Sequence, residues 1–262
     1  MTTVDGAELL DIATAAAEAT GKLLLRSEPG TVTTKSAPAD LVTDLDRVGE
    51  ALIVEMITTV RPHDSVLGEE HGARPGTSGV RWVVDPLDGT GNYVRGLPSF
   101  AVSVAAEVDD RVVAGVVHDP SRQETFRAVR GRGATCNGRK LAASDTLDLA
   151  RAVVSTGFSS DSAHRRRQAA LLETVLEQVA DVRSSGSAAL DLCWVACGRL
   201  DGYYESDTRY WDRAAGVLIA EEAGAVVRGG DEMVFAAAPG LGRALHGLVV
   251  AGESAVSSRK FG

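Results

Sequence analysis

The chain has 262 residues, is 44% hydrophobic, carries a formal net charge of −9 and contains three cysteines. Three cysteines cannot form a paired disulfide framework, which favours a reducing compartment. The acidic balance argues against broad binding to nucleic acid or to an anionic membrane surface. No apolar run approaches the ~20 residues of a membrane-spanning helix. The first residues, MTTVDGAELLDIATAAAEA, also lack the basic and apolar regions of a signal peptide. We therefore expect a cytoplasmic protein.

Two helices are predicted at the start of the chain. Asp5, followed three residues later by Glu8, can cap a helix that extends to about Arg26. A second helix fits residues 44–60, where apolar residues recur on one side, and Pro62 stops it.

A run of strands is predicted next. SVLGEE indicates a short strand that breaks at Gly68, HGARPGTSG (71–79) indicates a surface loop, and RWVVD indicates a strand that Pro86 ends. Three further strands and a hairpin with an Asn-Gly turn are predicted for the segments FAVSVAAEV, VVAGVVHD, ETFRAVR and CNGRK.

The second half of the chain alternates between helix and strand. Helices are predicted near 164–180, from 187 to 197 and from 211 to 223. The predicted strands of this half are VRSS, DGYYE, AVV and HGLVVAG. A meander followed by alternation predicts an α+β protein built from layers of sheet and helix.

The segment WVVDPLDGTGNY ends an apolar strand in two carboxylates. Asp85 lies at the carboxyl end of the strand, a usual place for ligand chemistry, and the following turn can bring Asp88 back beside it. Gly89 permits an unusual backbone angle, and Thr90 can begin a helix whose free N–H groups face the same spot. Two adjacent carboxylates repel each other unless a cation joins them, and oxygen ligands favour Mg²⁺. An Asx-type turn with a helix cap explains this stretch alone equally well.

Three other segments contribute acidic residues. LGEEHG carries Glu69 and Glu70 after a short strand, and RYWDRAAG carries Asp212 at the start of a helix. A solvated loop and a helix N-cap are the ordinary explanations of these positions. KSAPADLVTDLD adds Lys35, Asp40, Asp44 and Asp46. Together the segments supply carboxylates from separate parts of the chain that the fold can bring together.

These motifs, in this order, resemble the inositol monophosphatase family of magnesium-dependent, lithium-sensitive phosphatases. The resemblance rests on KSAPADLVTDLD, LGEE, WVVDPLDGTGN and WDRAAG, with GSAALDLC and DGYYE between the last two, and covers nearly the whole chain. It implies one domain, 1–262, with a layered α/β/α/β/α sandwich, usually as a homodimer. The N-terminal half, about 1–145, would hold most metal ligands. The C-terminal half, about 146–262, would hold Asp212 and the substrate pocket.

The resemblance also implies a set of metal ligands, for two or three Mg²⁺ ions. Glu70, Asp85 and the backbone carbonyl of Leu87 would hold the first ion. Asp85, Asp88 and Asp212 would hold the second, and Glu70 would help to hold a third.

Catalytic and substrate-binding roles are implied in the same way. Glu70 and Thr90 would orient the attacking water, with Asp46 behind Thr90. Backbone amides of Gly89 and Thr90 would bind the phosphate. The implied substrate-binding residues as a whole are Asp88, Gly89, Thr90, Gly186, Ala188, Glu205 and Asp212.

The function implied is Mg²⁺-dependent hydrolysis of a small polyol phosphomonoester, first of all inositol 1-phosphate. Histidinol phosphate, fructose 1,6-bisphosphate and a nucleotide 3′-phosphate remain open as substrates. A non-catalytic regulator that binds a protein or RNA is less favoured, because such a protein has no need to keep so many mutually repelling carboxylates. Gly91 departs from the family, where threonine is common, and residues 206–210 vary too much to indicate the alcohol.

Overall fold

A computed structural model of the protein describes residues 5–35, 37, 40–230 and 232–258. Three residues of the motif KSAPADLVTDLD lie outside the described residues: Ser36, Pro38 and Ala39. Residues 1–4, which begin the segment predicted not to be a signal peptide, also lie outside them. The helices are α1 (Gly6–Arg26), α2 (Asp44–Val60), α3 (Thr90–Val94), α4 (Ser162–Leu176), α5 (Ala188–Ala196), α6 (Tyr210–Glu222) and α7 (Gly242–Ser258).

The strands form three sheets. A two-stranded sheet contains β1 (Val32–Thr34) and β2 (Leu41–Thr43). An eight-stranded sheet has the order β10-β9-β8-β7-β6-β5-β3-β4 and contains β3 (Ser65–Gly68), β4 (Gly72–Arg74), β5 (Val80–Asp88), β6 (Ala101–Val108), β7 (Arg111–Asp119), β8 (Glu124–Val129), β9 (Ala134–Cys136) and β10 (Arg139–Lys140). A five-stranded sheet has the order β12-β11-β13-β15-β14 and contains β11 (Val153–Ser155), β12 (Asp181–Arg183), β13 (Gly202–Ser206), β14 (Val226–Gly229) and β15 (Met233–Ala237).

Helices cover both faces of the large sheet. Side chains alternate along β5, so Trp82 and Val84 pack in one cluster with Leu9 of α1, while Val83 packs on the opposite face with Leu218 of α6. Burial on both faces explains why β5 and β6 read as almost continuous apolar runs.

The five-stranded sheet lies on the other side of α5 and α6. Tyr203 of β13 joins the cluster around α6, whereas its neighbour Tyr204 joins a third cluster with Leu171 of α4 and Leu245 of α7. The layers are therefore α1/α2, large sheet, α5/α6, small sheet and α4/α7. This order confirms the predicted α/β/α/β/α sandwich.

Local chemistry accounts for several element boundaries. The Asp5 side chain accepts a 3.0 Å hydrogen bond from the N–H of Ala7 and caps α1. Thr43 and Asp46 form a capping box at the start of α2, whose predicted span of 44–60 is confirmed. Asn137 and Gly138 both have positive φ, 49° and 79°, as the predicted Asn-Gly hairpin requires.

Other predictions about the elements were wrong. HGLVVAG lies within α7, because Leu245, Val249 and Val256 recur at helical spacing and are buried against the small sheet. The predicted loop 71–79 contains β4, which pairs antiparallel with β3. Strands β11 and β15 were not predicted, and α4 ends at Leu176 instead of near 180. Among the helices that the structure describes, none combines the length and the apolar character needed to cross a membrane.

Candidate active site

The end of β5 forms the centre of the candidate site. Pro86 was predicted to end the strand, but β5 continues to Asp88 through an irregularity in its pairing with β6 between Asp85 and Asp88. Pro86 has no N–H and cannot donate a regular hydrogen bond to the neighbouring strand, so the pairing is irregular at this point. Asp85 is 1% exposed, and its Oδ1 accepts a 2.9 Å hydrogen bond from the N–H of Leu87. The strand thus holds the Asp85 carboxylate and the Leu87 backbone in one tight turn.

Glu69, instead of Glu70, is the glutamate that reaches Asp85. Strands β3 and β5 are parallel with Gly68 opposite Val84, and the N–H of Glu69 donates to Val84 O at 3.3 Å. The next residues on the two strands, Glu69 and Asp85, therefore lie side by side, and the charge of Glu69 helps to raise the pKa of Asp85.

Glu70 has different contacts. Its side chain, 4% exposed, forms an ion pair with Lys35, which also contacts Glu69 Oε1 at 2.8 Å. Its N–H donates to Glu50 Oε2 at 2.7 Å. The sequence prediction placed Glu70 in the metal site, whereas in the structure Glu69 is the glutamate beside Asp85. The strand register is the signal that distinguishes them, because it decides which glutamate neighbours Asp85.

Asp88 and Asp212 complete the acidic side of the site. Asp88 Oδ2 accepts hydrogen bonds from Ser187 Oγ at 2.6 Å and from the N–H of Ala189 at 2.7 Å. Asp212 Oδ2 accepts from the N–H of Arg209 at 2.7 Å in the first turn of α6. The start of α5 and the start of α6 thus hold one carboxylate each. We call Glu69, Asp85, Asp88 and Asp212 the acidic end.

Burial and mutual repulsion disfavour the charged forms of these acids. The pKa of Asp85 lies well above its usual range because the group is buried and because Glu69, Asp88 and Asp212 are close. Burial and then the charge of Asp88 likewise hold the pKa of Asp212 well above its usual range. Burial raises the pKa of Asp88 to about 6. A cation at the acidic end would relieve this repulsion.

The donor chemistry of the acidic end fits Mg²⁺, a hard ion that prefers carboxylate and carbonyl oxygens. Among the described residues, no three histidine, cysteine, aspartate or glutamate side chains form a ready-made group that could hold a metal ion. Asp88 is turned towards Ser187 and Glu69 towards Lys35. To bind an ion, these carboxylates would therefore have to give up their present hydrogen bonds and contact the cation instead.

Thr90 lies beside the acidic end and is held by Asp46. Its hydroxyl is 2.9 Å from Asp46 Oδ1 and 3.0 Å from Leu87 O, and its single proton can serve one of them at a time. Asp46 is fully buried and also accepts from the N–H of Thr43 at 2.7 Å. Gly89 precedes Thr90 with φ 99°, a conformation that glycine allows.

A cavity of about 480 Å³ opens from the acidic end. Glu69 and Asp212 line one part of it. A second set of lining residues, which we call the alcohol end, comprises Phe158, Ser159, Ser160, Glu205, Ser206 and Asp207. A smaller neighbouring cavity of about 240 Å³ brings Asp88, Gly186, Ala188 and Glu205 together. The predicted substrate residues of both halves of the chain therefore meet.

Glu205 is fixed at the alcohol end by close packing. Its Oε2 accepts a 2.8 Å hydrogen bond from Tyr203 Oη, and burial raises its pKa to about 8. A Cβ atom on Gly157 would lie 2.1 Å from the Glu205 carboxyl, so only glycine leaves room for that side chain. Sequence reasoning missed Gly157 and Ser187. Ser187 lies in the motif GSAALDLC at a predicted helix start, but its contact with Asp88 and that of Gly157 with Glu205 join distant parts of the chain and have no local signal.

Comparisons with known proteins agree with this geometry. The model of the inositol monophosphatase family matches residues 5–256. A Mycobacterium leprae protein named Inositol-1-monophosphatase is 45% identical over 246 residues, covering 87% of this chain and 84% of that protein. A Pasteurella multocida protein named Nus factor SuhB is 43% identical over 224 residues, covering 84% of each. The crystal structure of extragenic suppressor protein suhB from Bartonella henselae has a TM-score of 0.86 at 35% identity and covers 96% of this chain and 99% of its own.

Proposed function

Because this chain belongs to the inositol monophosphatase family and is a phosphatase, we propose that it hydrolyses a phosphomonoester of a small polyol, first of all inositol 1-phosphate. The observation that carries the proposal is one cavity lined both by Glu69 and Asp212 of the acidic end and by Glu205. The name of the Mycobacterium leprae relative supports the same substrate.

Magnesium is the proposed cofactor, with two or three ions in each site. Glu69, Asp85 and Leu87 O would hold the first ion, and Asp85, Asp88 and Asp212 the second. Mg²⁺ would supply positive charge for the phosphate and lower the pKa of a water molecule. The net charge of −9 is then compatible with an anionic substrate, since bound cations dominate the local field.

The side chains around the ions would position the reactants. Thr90, whose hydroxyl lies 2.9 Å from Asp46 Oδ1 and 3.0 Å from Leu87 O, would fix the attacking water together with Glu69. The amides of Gly89 and Thr90 would bind phosphate oxygens. Glu205, together with Gly186 and Ala188, would receive the alcohol. No nucleophilic side chain is needed in such a reaction, because water attacks phosphorus in line.

The remaining expectations belong to the same proposal. Activity would be inhibited by lithium, and the protein would act in the cytoplasm as a homodimer. Histidinol phosphate, fructose 1,6-bisphosphate and a nucleotide 3′-phosphate are the alternative substrates. The name of the Pasteurella multocida relative favours a second candidate function, that of a Nus factor. Such a function would be a binding role, and the substitution Asp88→Asn would leave it intact.

Phosphate release from these substrates with Mg²⁺ tests the proposal. We expect the highest kcat/KM for inositol 1-phosphate, no turnover in excess chelator and inhibition by millimolar Li⁺. Mg²⁺ should also raise the thermal midpoint of unfolding, because binding to the folded site relieves carboxylate repulsion. Full activity in chelator contradicts the metal site, whereas a preference for another phosphomonoester changes only the substrate.

A further inference from the structure

Two separate segments form the wall of the alcohol end. The first is the loop before α4, which contains Phe158 and Ser159, and the second is the end of β13 with Ser206 and Asp207. The two segments are almost fifty residues apart in the chain, and neither belongs to the acidic end. Their separation sets the width of the cavity where the alcohol would lie, so the contacts that join them are of interest.

Gln168 of α4 joins the two segments from behind. Its Oε1 accepts a 2.8 Å hydrogen bond from the N–H of Ser159, and its Nε2 lies 3.2 Å from both the carbonyl oxygen and the Oγ of Ser206. The ring closes on the cavity side, where the Ser159 hydroxyl donates to Asp207 Oδ2. Four residues therefore form one closed set of hydrogen bonds around the rim of the alcohol end.

The ring requires the chemistry of glutamine at this position. Gln168 is 7% exposed and must present an acceptor to an N–H and a donor to a carbonyl at the same time. Glutamate would present only acceptors when ionised, and an apolar residue would leave the N–H of Ser159 and the carbonyl of Ser206 without this partner.

The backbone at Asp207 gives a second indication that the wall is held in place. Asp207 has φ 74°, a left-handed conformation that is uncommon for residues other than glycine, and its carboxylate accepts the Ser159 hydroxyl. Ser206 is additionally 2.9 Å from His164 Nε2 of α4. Less common backbone conformations persist where surrounding contacts determine them, and they often occur at binding sites.

We propose that Gln168 is a positioning residue that sets selectivity for the alcohol by holding the segments of Ser159 and Ser206 at a fixed separation. The inference rests on the proposed phosphatase function and extends it to a residue outside every motif of the sequence. Because the Gln168 side chain bonds to Ser159 and Ser206 of the wall, it acts on binding of the polyol and not on cleavage of the phosphate ester.

The test compares Gln168→Met with the unsubstituted protein on inositol 1-phosphate and on p-nitrophenyl phosphate, which has no polyol. Methionine keeps the length of the side chain and removes both hydrogen bonds. We expect KM for inositol 1-phosphate to rise about tenfold, the equivalent of roughly one hydrogen bond. The kcat for this substrate, and both constants for p-nitrophenyl phosphate, should change less than about twofold.

Two further variants make the result specific. Gln178→Met is the matched control, because Gln178 is exposed just after α4, and it should leave all constants unchanged. Gln168→Glu keeps the acceptor for Ser159 and loses the donor to the Ser206 carbonyl, so KM should rise in the same direction. Thermal unfolding should show that the variants are folded.

The proposal is overturned if Gln168→Met leaves KM unchanged, if it affects both substrates equally, or if both Gln168 variants unfold. The first two results remove any role in selectivity, and the third makes Gln168 a purely structural residue. Failure of the proposed function looks different, because the unsubstituted protein would then hydrolyse neither substrate. In that case both inferences are wrong.

Discussion

The acidic end and the alcohol end of the cavity use buried polar groups in opposite ways. At the acidic end, Asp85 and Asp88 are crowded with like charges, and their pKa values are raised. At the alcohol end, Gln168 and Ser159 satisfy each other in a closed ring of hydrogen bonds. Carboxylates this close together are stable in their charged forms only when a cation binds them. A ring whose donors and acceptors are all hydrogen-bonded needs no ligand and gives the wall a defined shape. The comparison separates groups that act on the phosphate from groups that select the alcohol.

Asp88→Asn should have the largest effect on activity, because it removes a charged group from the acidic end. We expect kcat to fall about 10²–10³-fold for every substrate, as for loss of a preorganised stabilising group. The fall in kcat is measured as phosphate release at saturating Mg²⁺. Asp11→Asn is the matched control, because Asp11 lies on the exposed side of α1. Turnover close to that of the unsubstituted protein would remove Asp88 from the metal site.

Asp191→Asn should affect stability, because Asp191 is a buried acid outside the acidic end. Burial raises its pKa from 3.8 to about 7. An acid whose folded-state pKa is raised loses stability as pH rises from its unfolded pKa to its folded pKa, here between about pH 4 and pH 7. Asparagine cannot ionise, so the variant should be roughly 3 kcal/mol more stable at pH 8 and should gain little at pH 4.

Urea unfolding in chelator at both pH values measures the effect of Asp191→Asn. Asp181→Asn is the control, because Asp181 is exposed and its pKa is lowered by Arg183. An equal gain for the Asp191 variant at pH 4 and pH 8 would show that ionisation is not the cause.

Glu69→Gln and Glu70→Gln sharpen the boundary of the acidic end. Both glutamates pair with Lys35, but only Glu69 is among the charges that raise the pKa of Asp85. We expect the Glu69 variant to need a higher Mg²⁺ concentration for half-maximal activity, at least tenfold above that of the Glu70 variant. This difference corresponds to one charged interaction with the ion. The reverse order would restore the role that the sequence motif assigned to Glu70.

Glu205→Gln tests the alcohol end in the same way. Above its pKa of about 8, the Glu205 carboxylate presents only acceptors, whereas an amide presents a donor in place of one of them, so one hydrogen bond to a polyol hydroxyl is lost. We expect kcat/KM for inositol 1-phosphate to fall about tenfold and that for p-nitrophenyl phosphate to stay nearly constant. Equal losses would place Glu205 in support of the acidic end.

Gly91→Ala should have the smallest effect. A Cβ atom on Gly91 would meet only the flexible end of Arg95, at 3.4 Å. The change should stabilise the protein by about 0.4–1 kcal/mol by restricting the unfolded chain. Gly89→Ala is the contrasting control, because φ is 99° and its Cβ would lie 2.9 Å from Ser99 O. Chemical denaturation of both variants checks the signs, and destabilisation by Gly91→Ala would mean that α3 needs glycine there.

Local sequence was sufficient wherever neighbours along the chain decide the structure. The span of α2 and the Asn137–Gly138 turn follow from capping, backbone preference and the pattern of apolar residues. The motifs also identified the family, and several of them carry their own turn or cap. These features depend on contacts within a few residues, which the sequence contains directly.

Tertiary structure alone decided the features that depend on distant partners. HGLVVAG became part of α7 because Leu245 and Val249 had a sheet to pack against, and an apolar run this short fits a strand equally well. The choice of Glu69 over Glu70 depends on the register of β3 against β5, in which one residue changes the face of a side chain. The ring around Gln168 joins residues 159, 168, 206 and 207. No local pattern predicts such a ring, because its hydrogen bonds exist only after the five-stranded sheet and α4 have assembled.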